Sequence, residues 1–359
     1  MKRTDFLVRK DDFREYRTAE ADVSDLEDGQ ALLRVDRFGL TANNITYATF
    51  GEAMSYWDFF PASAGWGRVP MWGFADVEES RVDGVESGAR LYGYLPPSSH
   101  LVVTPNGIDP DGFVDASPHR SALPSAYHRY LITENDPFYR ADTEDLQMLL
   151  RPLFYTSFLI DDELADNGLT TRGPVVISSA SSKTSLAAAF MLAQRDGVEL
   201  VGLTSARSAD FVEKLELYDR CVSYSDIASL GGGPAVFVDV AGDGEVRRAV
   251  HEHYGDDLAW SMAVGATHWE ELGAAAGDLP GPVPTLFFAP TRVEKRAAEW
   301  GRRGLNDRVV DAWHPFCEWA AGWLELDRGE GFEALERAYL EVLEGRVPPD
   351  RAKVLSLGV

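Results

Sequence analysis

Between residues 174 and 289, short apolar runs alternate with segments of helical periodicity. The apolar runs are Pro174–Ile177, Val198–Leu203, Cys221–Tyr224, Ala235–Val240, Leu258–Val264 and Val283–Ala289. Strands that alternate with helical segments are typical of βαβ units, in which successive strands lie parallel. The pattern therefore predicts a doubly wound parallel sheet in the middle of the chain.

The segments on either side of this region have other patterns. Strand-like runs in the first third lie at 31–35, 73–79, 93–97 and 101–103. Residues 47–74 are dense in aromatic side chains; some are expected to fill a small barrel core and others to line a cleft for a flat organic substrate. Residues 142–168 and the chain after 290 have helical periodicity, and 352–357 predicts a last strand.

The turn after the first run of the sheet is rich in small hydroxyl residues. Residues 178–185 contain five serines and one lysine, Lys183, and a helical pattern begins at Leu186. Small residues let the backbone approach a ligand closely, and the first N–H groups of a helix attract an anion. The turn therefore predicts a site for a phosphate-bearing cofactor.

Two other interpretations of this turn remain open. Ser182-Lys183-Thr184 imitates the end of a Walker A loop, although Ile177 stands where that motif needs a glycine. The turn could also belong to an ordinary βαβ unit that binds nothing. Glycines are absent at the spacing of a dinucleotide-binding turn, and serine adopts positive φ less readily than glycine.

The residues after the second strand indicate which dinucleotide would bind. Ser205 and Arg207 follow that strand, and the first carboxylate is Asp210. NAD sites usually place a carboxylate there to bind the ribose hydroxyls, whereas a phosphorylated ribose is paired by hydroxyl groups and arginine. The sequence therefore favours NADPH over NADH.

Composition narrows the class of protein. The chain has 359 residues with 34 Lys and Arg against 58 Asp and Glu, a net charge of -24. Such a surface repels nucleic acid and anionic membranes, so neither is an expected partner. Two cysteines allow neither a disulfide framework nor a four-cysteine zinc site. We find no signal peptide and no apolar run of membrane length, and expect a cytoplasmic protein.

Several segments resemble the medium-chain dehydrogenase/reductase superfamily, in its zinc-free, quinone-oxidoreductase-like branch. They are LLRVDRFGLTANN (32–44), WGFADVEESRVDGVESGARLYGY (72–94), the region 173–224 with its Val-Ser-Tyr ending, and the tail GRVPPDRAKVLSL. A narrower resemblance, to a bacterial family of unknown function, DUF2855, rests on NNITYATFG, WGFADVEES, HRSALPSAYHRY, LLRPLF and SSASSKTS.

The resemblance implies an α/β fold with two domains. A GroES-like β-barrel catalytic domain would comprise 1–150, completed by 295–359, and a Rossmann-like doubly wound parallel sheet would comprise 151–294. The implied reaction is hydride transfer from NADPH to an enone, a quinone or another activated double bond. Thr41 and Asn43 stand near the turn where zinc-containing members carry a cysteine, so no metal is expected.

The resemblance also implies which residues bind the cofactor. The diphosphate would meet Ser179, Ser182, Lys183 and Thr184, the ribose phosphate Ser205 and Arg207, the adenosine Tyr224, and the nicotinamide Thr156 and Gly265.

Five residues in segments that would face the cleft are candidate donors to a developing enolate oxygen. They are Asn44, Tyr47, His119, Tyr127 and Tyr130. Each has a structural alternative: Asn44 in a turn, Tyr47 in the barrel core, His119 in an ion-paired corner, and Tyr127 with Tyr130 on the packed face of one helix. His251 and His253 look like metal ligands, but residues two apart do not share a helix face, so they are expected to be solvated.

Two expectations concern association and role. If the apolar segment Thr285–Ala289 lies at the edge of the sheet, pairing with its copy would make a homodimer. The missing glycines keep an alternative function open: a dinucleotide fold with a non-redox, sensing or partner-binding role.

Overall fold

The computed structural model describes residues 1–264 and 279–358. Its strands are β1 (Lys2–Arg9), β2 (Tyr16–Asp22), β3 (Ala31–Leu40), β4 (Trp66–Gly67), β5 (Met71–Ser80), β6 (Arg90–Leu95), β7 (His100–Val103), β8 (Pro105–Asp109), β9 (Gly112–Asp115), β10 (Arg129–Ile132), β11 (Val175–Ile177), β12 (Leu200–Thr204), β13 (Arg220–Ser223), β14 (Ala235–Asp239), β15 (Leu258–Ala263), β16 (Thr285–Leu286), β17 (Glu325–Glu330) and β18 (Arg351–Ser356). Its α-helices are α1 (Ala42–Thr49), α2 (Glu144–Asp166), α3 (Lys183–Leu192), α4 (Ala209–Lys214), α5 (Gly244–Tyr254), α6 (Ala289–Ala321) and α7 (Gly331–Leu343). Among these helices, none is long and apolar enough to cross a membrane.

Residues Met1–Leu149 and Leu324–Val359 form one compact unit. Within it, β2, β1 and β4 form a small antiparallel sheet, and a larger sheet has the order β17-β18-β3-β5-β6-β10-β9-β8, with β7 also paired to β3. Helix α7 packs on the core through Leu335, Ala338, Tyr339 and Val342, the spacing of one apolar stripe on a helix. The aromatic stretch 47–74 supplies much of this core, as predicted.

Residues Leu150–Trp323 form the second unit. In its described part, six parallel strands have the order β13-β12-β11-β14-β15-β16. Val175 and Ile177 of β11 pack in one apolar cluster and Val176 in another, so the sheet is covered on both faces. The six predicted runs all form strands, and the doubly wound parallel sheet is confirmed. In this order β11 and β14 are neighbours where the winding direction reverses, and ligands of such sheets bind beyond the carboxyl ends of those strands.

Helix α6 lies in the second unit, whereas the sequence analysis placed residues 295–323 with the first. The reason is aromatic packing: Trp313 and Phe316 contact Phe154 of α2, with ring centroids 5.3 and 4.8 Å apart, and Phe316 contacts Phe190 of α3 at 5.5 Å. Sequence periodicity identifies a helix with one apolar face, but it does not show which of the two units that face packs against.

Tyr127 and Tyr130 do not share a helix, so that prediction is wrong. Tyr127 ends a short 3₁₀ turn, Ser125–Tyr127, and Tyr130 lies in β10 opposite Phe113 of β9. The backbone of β10 is hydrogen-bonded to two neighbouring strands, and this pairing overrides the local helical spacing.

Candidate functional site

The turn from β11 to α3 has a backbone shape suited to an anion. Ser179 has φ of 52°, in the left-handed region that favours glycine. Ser182 is the N-cap of α3, and its hydroxyl accepts the Ser185 N–H at 3.2 Å. Lys183 and Thr184 therefore begin the helix, where N–H groups and the helix dipole point outward toward negative charge.

A buried network joins this turn to the one after β14. The Ser178 hydroxyl donates to Asp239 Oδ1 at 2.9 Å and accepts the N–H groups of Val240 and Ala241, both at 2.9 Å. Asp239 is fully buried, and its Oδ2 accepts Arg247 Nε at 2.8 Å and faces Arg247 Nη2 at 2.7 Å. One hydroxyl and one carboxylate thus fix two loops at the ligand edge of the sheet.

Two tyrosines also hold the serine-rich turn. The Tyr224 hydroxyl accepts the Ser179 N–H at 2.9 Å, and burial raises the pKa of Tyr224. The Tyr218 hydroxyl lies 3.2 Å from the carbonyl oxygens of both Ala180 and Ser185. Tyr224, expected on the adenosine side of the cofactor, thus contacts the turn expected to meet the diphosphate.

The other cofactor candidates are distributed around the second unit. Ser205 is exposed after β12, with its hydroxyl 3.4 Å from that of Ser208, and Arg207 is exposed in the following 3₁₀ turn. The Thr156 hydroxyl, on α2, donates to the Pro152 carbonyl at 3.3 Å. Gly265 lies outside the described residues.

The positive φ at Ser179 predicts how substitutions there change the free energy of unfolding. Ser179→Gly should change the free energy of unfolding by less than about 1 kcal/mol, because relief of left-handed strain is offset by a more flexible unfolded chain. Ser179→Val should cost roughly 2 kcal/mol, because β-branched residues tolerate this φ poorly. Urea denaturation measures both. The control is Ser181→Val in the same turn, a residue outside the positive-φ set; equal losses for the two valine variants would contradict the backbone explanation.

In the first unit, four tyrosines and Trp72 form an aromatic cluster. Tyr94 contacts Tyr127 with ring centroids 4.7 Å apart, Tyr47 contacts Tyr56 at 4.7 Å, and Trp72 contacts Tyr94 at 5.1 Å. Trp72 Nε1 donates to the Tyr47 hydroxyl at 3.3 Å, and the hydroxyls of Tyr56 and Tyr127 are 3.3 Å apart. Tyr47 and Tyr127, two of the predicted donors, are therefore brought together.

Burial keeps these phenols protonated. It raises the pKa of Tyr47 to about 12, with Trp72 opposing the shift, and it raises the pKa of Tyr127 and of Tyr94 far above the ordinary tyrosine value. A neutral phenol in an apolar environment is a hydrogen-bond donor that can stabilise a developing oxyanion.

The other three predicted donors use their polar atoms within the scaffold. Asn44 caps α1: its Oδ1 accepts the Thr41 N–H at 2.7 Å and its Nδ2 donates to the Pro70 carbonyl at 2.8 Å. The fully buried Tyr130 donates to the Tyr94 carbonyl at 2.7 Å. His119 is exposed, with Nε2 3.2 Å from the Phe59 carbonyl oxygen.

No group of three or more His, Cys, Asp or Glu side chains within 1–264 and 279–358 could hold a metal ion. His251 is fully buried, so its expected exposure to solvent is wrong; its ring nitrogens lie 2.8 Å from the Pro280 carbonyl oxygen and 2.9 Å from the Ser261 hydroxyl. His253 is half-buried, and its Nε2 lies 3.2 Å from the Gly231 carbonyl oxygen.

Residues 38–348 match the profile of a protein family described as "Protein of unknown function (DUF2855)". The chain belongs to this family. No curated protein matches it. The narrower resemblance in the sequence is thereby confirmed.

Several solved structures of similar fold are oxidoreductases or reductases by title. The quinone oxidoreductase from Coxiella burnetii is 13% identical, with a TM-score of 0.56 and 99% of each chain covered. The CurK enoyl reductase is 15% identical, with a TM-score of 0.58 and 99% of each chain covered. The yhdH oxidoreductase from Salmonella enterica in complex with NADP is 13% identical, with a TM-score of 0.55 and 99% of each chain covered. At these identities the likeness establishes the fold, a GroES-like unit with a Rossmann-like unit.

Sequence reasoning missed the residues that hold the turn of this DUF2855 member in place. Ser178, Tyr218, Asp239 and Arg247 received no role, although they support the loops at the sheet edge. One signal was available: Asp239 ends an otherwise apolar strand, AVFVD, and a buried carboxylate needs a partner. The identity of that partner was not visible in the strand itself.

Proposed function

We propose that this protein is a zinc-independent, NADPH-dependent reductase that transfers a hydride to an enone, a quinone or another activated double bond of a small molecule. The observation that carries the proposal is the left-handed, N-capped turn 178–185 at the switch point of the parallel sheet. The titles of three similar structures, a quinone oxidoreductase, an enoyl reductase and an oxidoreductase in complex with NADP, support the same class of reaction. The acidic composition and the use of NADPH favour a cytoplasmic enzyme.

In this proposal the second unit binds the cofactor. The N–H groups of Lys183 and Thr184 meet the diphosphate, with Ser179 and Ser182 shaping the turn. Ser205 and Arg207 pair with the ribose phosphate, Tyr224 borders the adenosine half, and Thr156 and Gly265 border the nicotinamide. Because the chain has a net charge of -24, an anionic cofactor would be repelled without basic residues at the site, and Lys183 and Arg207 supply them.

NADPH supplies a hydride when bound, and the protein's residues position the acceptor and stabilise its charge. The acceptor would gain the hydride at its β-carbon, leaving NADP⁺, and the resulting enolate would take one proton from water at its α-carbon. We assign the stabilising hydrogen bonds to Tyr47 and Tyr127, whose raised pKa values keep them protonated, and supporting positions to Asn44, His119 and Tyr130.

Cofactor titration followed by turnover tests the proposal. Purified protein titrated with NADPH and NADH, with fluorescence as the readout, should bind NADPH saturably and more tightly. Loss of nicotinamide absorbance with a panel of enones and quinones should then report turnover. Failure of both dinucleotides to bind would overturn the reductase assignment.

A sensing or partner-binding role is the second candidate, and one contact favours it. The Ser179 N–H at the turn already donates a hydrogen bond to the Tyr224 hydroxyl. A donor that could bind a ligand is therefore used within the chain. Saturable NADPH binding without turnover of any enone or quinone in the panel would support this role over the reductase.

The edge of the parallel sheet predicts a homodimer. Among the described residues β16 is the edge strand of the sheet, and near it Val283, Leu286 and Phe288 are 70%, 38% and 60% exposed. Pairing of two copies through this edge would cover these side chains. Leu286→Lys should convert a dimer to a monomer in sedimentation velocity. Ile108→Lys, a matched change of an exposed apolar residue in the first unit, should leave the dimer intact. If the wild-type protein sediments as a monomer, the prediction is contradicted.

A further inference from the structure

Arg120 is a buried cation with unused hydrogen-bond donors. Its side chain is 1% exposed, Nε lies 3.0 Å from Asp115 Oδ2, and Nη1 lies 3.5 Å from the Tyr127 carbonyl oxygen. Nε faces Asp115 as an ion pair, and Nη2 makes no hydrogen bond to any residue that the structure describes. Asp115 directs its other oxygen elsewhere: Oδ1 accepts the N–H groups of Thr104 and Ser117 and the Ser117 hydroxyl.

Two more unpartnered polar groups lie around the same aromatic ring. Tyr94 is fully buried and His128 is 8% exposed, and the Tyr94 hydroxyl and His128 Nε2 lack a hydrogen-bond partner among the described residues. The Phe59 ring centroid is 5.4 Å from that of Tyr94, 5.8 Å from that of His128 and 5.7 Å from the Arg120 guanidinium carbon. The three groups therefore form one cluster, which we call the Arg120 cluster.

Buried polar groups without partners are rare, because each loses its hydrogen bonds to water. In native proteins they usually mark a bound water, an ion or a functional site. Three in contact with one ring, and one of them a cation, indicate a binding place and not a packing defect.

We propose that the Arg120 cluster binds a carboxylate of the substrate, so that the substrate class is a flat, conjugated carboxylic acid. This deepens the proposed function and rests on it for the reaction itself. The carboxylate is a recognition group, and the hydride acceptor is a separate activated double bond of the same molecule. The planar guanidinium fork pairs with a carboxylate better than with a neutral carbonyl.

The neighbouring side chains agree with this ligand chemistry. Burial and the nearby Arg120 charge lower the pKa of His128, so the ring is neutral and its Nε2 can carry a hydrogen to donate. Tyr47, Tyr56, Tyr127 and Trp72 surround Tyr94 with aromatic faces, which bind a flat conjugated body. Of these four side chains, Tyr127 and Trp72 are half-buried.

Tyr94→Phe tests the inference without disturbing the fold. Removing an unpartnered hydroxyl should leave the melting temperature unchanged or raise it, yet weaken binding of trans-cinnamate by about tenfold, the loss of one charge-assisted hydrogen bond. Calorimetric titration of the whole protein without NADPH measures the binding. The control is Tyr339→Phe, a buried tyrosine whose hydroxyl donates to the Phe13 carbonyl at 2.9 Å; it should lower the melting temperature and leave cinnamate binding unchanged.

Charge recognition is tested with a matched neutral probe. Wild type should bind trans-cinnamate at least about tenfold more tightly than trans-cinnamamide, and the Arg120→Met, Asp115→Asn double variant, which removes both charges, should abolish that preference. Equal affinity for the two probes, or undiminished cinnamate binding in Tyr94→Phe, would overturn the inference. NADPH titration of the wild type and the variants separates the two proposals. If NADPH binds but cinnamate is not preferred over cinnamamide, only this inference is contradicted. If the wild type does not bind NADPH, the proposed function is contradicted.

Discussion

Arg207→Ala is expected to weaken NADPH binding by about 10- to 100-fold, while NADH affinity changes by less than about twofold. The two cofactors differ by the phosphate on the adenosine ribose. Arg207 lies in the turn immediately after β12, where that ribose binds in sheets of this order. Competition fluorescence titrations with both cofactors measure the two dissociation constants.

The matched control is Arg220→Ala. Arg220 is an exposed arginine of the same unit that donates to the Ser229 carbonyl at 3.2 Å, and its loss removes the same overall charge. It should reduce NADPH affinity only slightly, through long-range electrostatics that salt screens. Equal loss for NADPH and NADH in Arg207→Ala would show that the ribose-phosphate assignment is wrong.

Asp239→Ala is expected to lower the free energy of unfolding by roughly 3–5 kcal/mol. It leaves the Arg247 guanidinium without its buried counter-charge and deprives Ser178 and the Gly242 N–H of their acceptor. Because that network fixes both loops at the ligand edge, NADPH affinity should fall in the same variant. Urea denaturation and the cofactor titration measure the two effects.

Asp243→Ala is the comparison for this change. Asp243 lies four residues further along and caps α5 from the surface, accepting the N–H groups of Glu245 and Val246, so its loss should cost only about 1 kcal/mol. The Asp239→Ala, Arg247→Met double variant should recover part of the stability, because the uncompensated charge is gone. A loss at Asp239 no larger than at Asp243 would show that the buried pair does not hold the loops.

The parallel sheet could be predicted because its signal is local and repeated. Each strand is a short apolar run, and each helix between strands has its own periodicity, so six independent segments agree on one architecture. The same local signal was insufficient for Tyr127 and Tyr130. Their spacing fits one helix, but Tyr130 belongs to a strand that pairs with β9 and β6, and strand pairing is not visible in the spacing of neighbouring residues.

The candidate site was predictable in part. The hydroxyl-rich turn was recognised from residue type, and Ser179 takes the conformation for which glycine is usual. Residue type alone did not indicate what those hydroxyls contact: Ser178 ties the turn to Asp239, and Ser182 caps α3. The Arg120 cluster was not predictable at all, because Tyr94 of β6 meets Arg120 and His128 only around the Phe59 ring in the folded unit.

The sequence by itself determined the order of strands and helices in the parallel sheet, the acidic composition and the small residues at the serine-rich turn, since each depends on neighbouring residues or on composition alone. Only the tertiary structure decided which buried polar groups find partners. Asp239 meets Ser178 and Arg247, whereas Arg120 and Tyr94 are left with donors to spare. The physical reason is that hydrogen bonds require atoms within about 3 Å, and residues distant in the chain reach that separation only when the sheets have formed.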